Sequence, residues 1–399
     1  MIETWTYLFW LSAALCAYVF VGYSAILAVS GLAPSRKSHG TYAGRVTLII
    51  PAYNEERVLE AKLLNALALD YPSEQLEVLV ASDGSQDGTV EIARRFEDRG
   101  VALLAFPERR GKASALNDAV GAARGEVICL CDANVLFRPD ALRVLVNRLA
   151  DPSVGAVSGE VRLASHESNF GSGEGLYYRL ERRVQAAESR IGSLMGVDGG
   201  MYIIRKELFQ PLPPDTILDD FVISMRVIKQ GKRVAYEPLA QAMENGTPAA
   251  RQEFRRRIRV SAGAVQSLKR GEFPPLWRPV ELWQFLSHKL LRWLSPVWLG
   301  LLVGSNVGLW SAGTFYRLTL AGQVIAYSLA AIGLWSVRFR MTPLGGIPFY
   351  FFMSQVAMAV GLVKGICNRQ PVTWAKAERG PLATSAVGAP ESSFAQVER

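Results

Sequence analysis

The chain has 399 residues, half of them apolar, and a formal net charge of +8. That length allows one large domain with further elements, and the apolar share is high for a soluble protein. A basic balance beside so much apolar sequence points to anionic lipid heads or phosphorylated substrates and away from nucleic acid.

Residues 4–35 carry no charged side chain. A helix of that length crosses a bilayer core. Its flanks separate it from a cleaved signal, because Glu3 precedes it while Arg36, Lys37 and Arg45 follow. The positive-inside rule then puts the N-terminus outside and the next domain in the cytoplasm, at the cell inner (plasma) membrane. Beyond residue 36 the pattern alternates. β-rich runs at Val46–Ile50, Leu76–Ala81, Val101–Phe106 and Val127–Cys131 are separated by helical stretches around Glu55–Leu69, Thr89–Arg99 and Lys112–Ala123. This spacing predicts an α/β fold with a mainly parallel sheet covered on both faces. Cys129 and Cys131 share one strand, far from any His or other Cys at metal-ligand spacing, and read as reduced core residues.

The second half is less regular, with strands predicted at Ala156–Leu163, Met201–Arg205 and Arg233–Glu237 and helices near Gly175–Arg190, Asp220–Lys229 and Ala249–Lys269. The glycines of "GSGEG", 171–175, follow no strand and read as a flexible turn. "LWQFLSHKLLRWL", Leu282–Leu294, mixes Trp and Leu with His288, Lys289 and Arg292, as expected of a helix in the headgroup region. Uncharged runs follow at 293–316, 318–337 and 341–363. Four spans are predicted in all, a re-entrant last segment being the alternative, and a polar tail after Pro381 is predicted to be disordered. The expected domains are an N-terminal transmembrane helix at 1–35, a catalytic domain at 36–280, membrane segments at 281–370 and a tail at 371–399.

In a parallel sheet, ligands bind beyond the carboxyl ends of the strands. Asn54 and Glu55 follow the first predicted strand, Asp83 the second, and Asp132 and Asn134 the fourth. Asp83 in "ASDGSQDGT" is an acceptor for a base N–H or ribose hydroxyls. Arg109, Arg110 and Lys112 precede a helix and suit a diphosphate. Asp132 and Asn134 offer only oxygen, which suits Mg²⁺ or Mn²⁺. Asp219, before an apolar-periodic helix, is also placed to cap it.

These residues carry a resemblance. "LIIPAYNEE", "ASDGSQDGT", "RRGKASALN", "CDAN", "ILDDFVISMRVIKQGKRVAYEP" and "EFRRRIRVSAGAVQSL" occur in the order and spacing of family 2 glycosyltransferases of the GT-A fold. They look like the membrane-bound branch of cellulose, chitin, hyaluronan and poly-N-acetylglucosamine synthases. The resemblance covers about residues 45–270. It implies that Pro51, Tyr53, Glu55 and Asp83 hold the nucleoside of a nucleotide-sugar donor, that Lys112 lies beside the nucleotide, and that Asp132 opens the metal motif. It also implies that Asp220 is the general base of an inverting transfer, with Asp219 where the family has glutamate. Asn134 replaces the second metal-motif aspartate, keeping an oxygen but losing a charge. Arg256 to Val260 stand where the family has "QxxRW"; Arg256 and Arg259 share a helix face suited to clamping a diphosphate. Valine in place of tryptophan removes a stacking platform for the acceptor sugar, which counts against processive synthesis. The acceptor is then a glycan or a lipid such as a polyprenyl phosphate, and a catalytically inactive membrane scaffold is the reading from another class.

Overall fold

Apolar runs without alternation become strands that are buried on both faces. In the computed structural model, which describes residues 1–30, 40–163, 172–244 and 250–373, they are β1 (Val46–Ala52), β2 (Leu76–Asp83), β3 (Val101–Phe106), β4 (Val127–Cys131), β5 (Leu136–Phe137), β6 (Val154–Leu163), β7 (Met201–Arg205) and β8 (Arg233–Glu244). One sheet holds all eight in the order β3-β2-β1-β4-β7-β6-β8-β5. β3, β2, β1 and β4 run parallel, as do β6 and β8. β7 is antiparallel to both of its neighbours, and β5 to β8. The sheet is therefore α/β and mainly parallel, matching the GT-A expectation. Val46, Leu48 and Ile50 of β1, with Leu59 and Leu63 from the helix Leu59–Leu67, are fully buried in its core. Cys129 and Cys131 are buried there too.

The chain divides into two compact units. The sheet unit comprises Ser35–Ser165, Gly192–Gly246 and the segment from Pro371; the other comprises Met1–Pro34, His166–Ile191 and Thr247–Gln370. This division cuts across a boundary at 280, because the helices Ser172–Ile191 and Ala250–Lys269 pack with the apolar helix Pro343–Ile366. Close approach explains one of these contacts. A Cβ on Gly361 would lie 2.5 Å from the Ile258 carbonyl oxygen, and one on Gly365 2.7 Å from Val265 Cβ, so small residues let the two helices meet.

Helices Ile2–Ser30, Thr314–Trp335 and Pro343–Ile366 are each long and apolar enough to cross a membrane. The run at 293–316 differs from the straight span expected of it. Its helix, Ser295–Gly308, covers about 21 Å at 1.5 Å per residue, short of the roughly 30 Å hydrocarbon core, and is bent by 59° against Pro279–Trp293. Pro296 lies in its first turn, where it starts a helix but cannot continue the preceding one. Leu282–Leu294, read as a helix in the headgroup region, has part of its polar side taken up within the protein. Phe285, Ser287 and His288 are 2–4% exposed, and His288 lies 3.1 Å from Glu181 and 2.9 Å from Glu188 of the helix Ser172–Ile191. His288, Lys289 and Arg292 all meet the Glu181 carboxylate. The flexible turn expected at "GSGEG" is likewise replaced from Ser172 onward by that helix, while Gly171 and the tail after Pro381 lie outside the described residues.

Candidate active site

Strand register gathers the polar residues. Pro51 and Ala52 of β1 pair with Ala81 and Ser82 of β2, so Tyr53 and Asp83 emerge side by side. Cys131 pairs with Met201, which brings Asp132 beside the loop that precedes β7.

The loops after β1 and β2 are stitched together. Asn54 adopts a left-handed φ of 56°, its N–H donates to Ser85 Oγ (3.1 Å), and its Oδ1 accepts from the Gln86 N–H (2.8 Å). The Glu55 N–H donates to Thr89 Oγ1 (2.7 Å). Arg109 lies over the Tyr53 ring with its guanidinium carbon 3.7 Å from the centroid. Asp83, 5% exposed, accepts from the backbone N–H groups of Arg110 (2.7 Å) and Gly111 (2.8 Å). Its carboxylate thus holds the loop that carries the basic residues. Gly84 makes that contact possible: at φ +68° a Cβ there would lie 2.5 Å from the Arg109 nitrogen. Arg110 turns to Asp118 in an exposed pair, leaving Lys112 as the basic group among the acids.

Lys112 Nζ is 3.1 Å from Asp132 Oδ1 and 3.4 Å from Asp219 Oδ2. Burial alone would lower its pKa, but the charges of Asp132, Asp219 and Asp220 outweigh this and hold the ammonium well above the ordinary lysine range. Residues at 112, 132 and 219 thus share one ion-pair network. Asp219 is the first residue of the helix Asp219–Lys229, whose N-cap is Leu218 and lacks a side-chain bond, so the capping role expected of Asp219 is corrected to an ion-pair role. Asp220 Oδ1 accepts from the Phe221 N–H (2.7 Å). Burial, then the neighbouring Asp219 charge, pushes its pKa up to about 6 against the pull of Lys112.

Two positions here were not singled out from sequence. A Cβ on Gly199 would lie 3.0 Å from Asp220 Oδ2, so the backbone of the Gly199 loop forms one wall of the carboxylate's place. That loop is pinned by the Val197 N–H to Ser224 Oγ (3.1 Å) and the Asp198 N–H to Ser158 Oγ (2.9 Å). Tyr202 of β7 is 1% exposed, and its hydroxyl has no hydrogen-bond partner among the described residues. Burial and the charges of Asp219, Asp220 and Asp132 push its pKa far up. The "VDGG" turn before a strand is the sequence signal for Gly199; Tyr202, in a fully buried strand, gives none.

Asn134 Nδ2 donates to Glu244 Oε2 (3.4 Å), which ties the amide to the end of β8. Among the described residues no three acidic, His or Cys side chains form a metal cage by themselves. Arg256 and Arg259 lie on Ala250–Lys269 in the other unit. There Arg256 pairs with Glu253 (2.9 Å) and donates to Tyr178 Oη (3.1 Å).

The sequence profile of glycosyl transferase family 2 matches residues 47–212. Among curated proteins, a poly-β-1,6-N-acetyl-D-glucosamine synthase of Staphylococcus aureus is 27% identical over 234 residues, covering 57% of this chain and 56% of that protein. The namesake from Staphylococcus epidermidis is 24% identical over 246 residues, covering 60% and 59%. The chain thus aligns with less than two thirds of either relative's length. Among solved structures, a mannosyltransferase of Pyrobaculum calidifontis in complex with GDP-Man and Mn²⁺ superposes with a TM-score of 0.70 at 26% identity, covering 91% of this chain and all of that one. The family profile lies over the strand ends that carry Tyr53, Asp83 and Asp132, so residues 47–212 are similar to glycosyl transferase family 2, and the chain is similar over part of its length to the poly-β-1,6-N-acetyl-D-glucosamine synthases.

Proposed function

We propose that this glycosyltransferase moves a sugar from a nucleotide-sugar donor, with inversion, onto a glycan acceptor in envelope or extracellular polysaccharide synthesis. The observation that carries the reading is Asp220, half-buried next to Asp219 and Lys112 and held near pKa 6, so that it is ionised at neutral pH yet basic enough to take a proton. As the acceptor oxygen bonds to the anomeric carbon, the bond to the diphosphate breaks and its electron pair leaves with the diphosphate. The hydroxyl proton passes to the Asp220 carboxylate. Lys112 offsets the charge that develops on the leaving group, and Pro51, Tyr53, Glu55 and the Asp83-braced loop hold the nucleoside. The test is to incubate the purified protein in detergent with a panel of nucleotide sugars and to follow nucleoside diphosphate release; release from none of them overturns the reading.

The mannosyltransferase neighbour was solved with Mn²⁺. Here Asp132, with a side chain 40% exposed, offers oxygen beside Lys112, and Asn134 adds an uncharged amide. Such a set fits Mg²⁺ or Mn²⁺, hard ions that take their remaining ligands from phosphate oxygens and water. When bound, the ion neutralises charge on the leaving diphosphate. We expect turnover to require added Mn²⁺ or Mg²⁺, to vanish in excess EDTA and to return on adding either ion; full turnover in EDTA overturns this.

With the N-terminus outside, helix Ile2–Ser30 enters the cell, Thr314–Trp335 leaves it and Pro343–Ile366 returns. The catalytic domain and the C-terminal tail with Lys364, Arg369, Lys376 and Arg379 then lie in the cytoplasm, as the charge rule prefers, while Arg338 and Arg340 lie outside, against it. Cysteine placed at Ser385 should resist an impermeant maleimide in intact cells and react once the membrane is opened. Labelling in intact cells would mean that the bent pair Pro279–Trp293 and Ser295–Gly308 also crosses.

A further inference from the structure

Helix Leu59–Leu67 buries positions 59, 62, 63 and 66, the spacing of one apolar helix face. Three of them are Leu59, Leu63 and Ala66. The fourth is Lys62, fully buried in the sheet unit. Lysine is almost never fully buried unless its charge is paired, yet among the described residues no carboxylate pairs with this one.

The ammonium takes uncharged partners instead. Lys62 Nζ donates to the Val135 carbonyl oxygen (2.7 Å), lies 4.0 Å from the Phe137 ring centroid and is a hydrogen-bond neighbour of the Cys131 thiol. That thiol donates to the Ile49 carbonyl oxygen (3.7 Å), which leaves its sulfur lone pairs for Lys62.

These partners bracket one short stretch. Asp132 and Asn134 lie between Cys131 and Val135, and the Val135 N–H donates to the Asp132 carbonyl oxygen (3.2 Å), closing a turn. Three residues beyond Lys62 on the same helix, Asn65 holds the far end. Its Nδ2 donates to the Phe137 carbonyl oxygen and its Oδ1 accepts from the Phe137 N–H, both at 2.8 Å. A position that served packing alone would be more stable with an apolar side chain, because an uncompensated buried charge is costly. What the ammonium adds is a set of donors fixed under the turn.

Granting the divalent cation proposed above, we propose that Lys62 is a positioning residue for its ligands, fixing the turn so that Asp132 and Asn134 present their oxygens together. Hard cations hold their oxygen ligands at defined distances, Mg²⁺ most strictly. Residues that orient such ligands from behind change metal affinity by about 10- to 100-fold.

The test uses the full chain in detergent and reads the Mn²⁺ concentration at which fluorescent mant-UDP or mant-GDP is half bound. Lys62→Met should raise it about tenfold. Lys62→Gln, which keeps an N–H for the Val135 carbonyl, should raise it less. Amide hydrogen exchange over residues 131–137 should also quicken in Lys62→Met without metal. Phe96→Leu is the control, a core change beside β3, which the sheet order places three strands from β4. It should lower the melting temperature and leave both readouts at wild type. An unchanged Mn²⁺ requirement in both Lys62 variants would overturn the proposal even if exchange quickens, and so would an equal rise in Phe96→Leu. Wild-type nucleotide binding that ignores Mn²⁺ would instead remove the cation reading, and the proposal with it, so the two failures are told apart.

Discussion

Asp220→Asn should leave nucleotide-sugar binding nearly intact while lowering turnover by roughly 10² to 10⁴, the usual range for a lost general base. The pH profile carries the more specific signature. In the wild type, activity should rise with pH along a limb near 6, as the carboxyl held up by burial and by Asp219 loses its proton. In Asp220→Asn the residual activity should lack that limb. Stability moves the other way. The folded carboxyl holds its proton more tightly than the ordinary value of 3.8, so its contribution to stability is full below about 4 and is lost as pH rises through about 6. Ionised at neutral pH it is a cost, so thermal melts of the variant should lie at or above wild type at pH 8, with the gap closing at pH 5. If Asp219→Asn abolishes the limb and Asp220→Asn preserves it, the assignment within the pair is reversed.

The residues at the strand ends were legible because their cause is local. An apolar run that stops at Asp83 or Asp132 marks both a strand and its carboxyl edge, and β3, β4 and β7 begin and end where the runs do. What was not legible depended on distant partners. The strand Leu136–Phe137 is two residues long and has no period to detect; it exists because Leu136 and Phe137 pair with Met243 and Ala242 of β8. The reversed direction of β7 leaves no trace in a strand whose neighbours cover it on both sides. Leu282–Leu294 presents Trp, Lys and Arg as an interfacial helix would, and only the fold reveals that Glu181 and Glu188 receive its His288. Lys112 read as a diphosphate ligand on its motif alone, and its pairing with Asp219 joins residues more than a hundred positions apart in the chain.

That pairing makes Lys112→Met the sharper experiment. Lys112 is the cation that faces Asp132 and Asp219 at 3.1 and 3.4 Å, and it also acts on Asp220. Without it the carboxylates repel one another, and the force that now holds the Asp220 pKa down is gone. The acid limb of the activity profile should therefore move to higher pH than in the wild type, and turnover should fall by about 10² to 10³, the range for losing a charge-stabilising donor. The folded Lys112 has a raised pKa, so its contribution to stability is fully present below its ordinary value of 10.5 and is lost only at higher pH. Across pH 7 to 9 the melting temperature of Lys112→Met should accordingly lie below wild type by a constant amount. Below about pH 5, where the carboxylates take up protons, the deficit should shrink. Lys112→Arg keeps the charge and should return the limb toward its wild-type position even where the altered geometry leaves turnover low. A limb in Lys112→Met that coincides with wild type would show that this ammonium does not set the ionisation of Asp220.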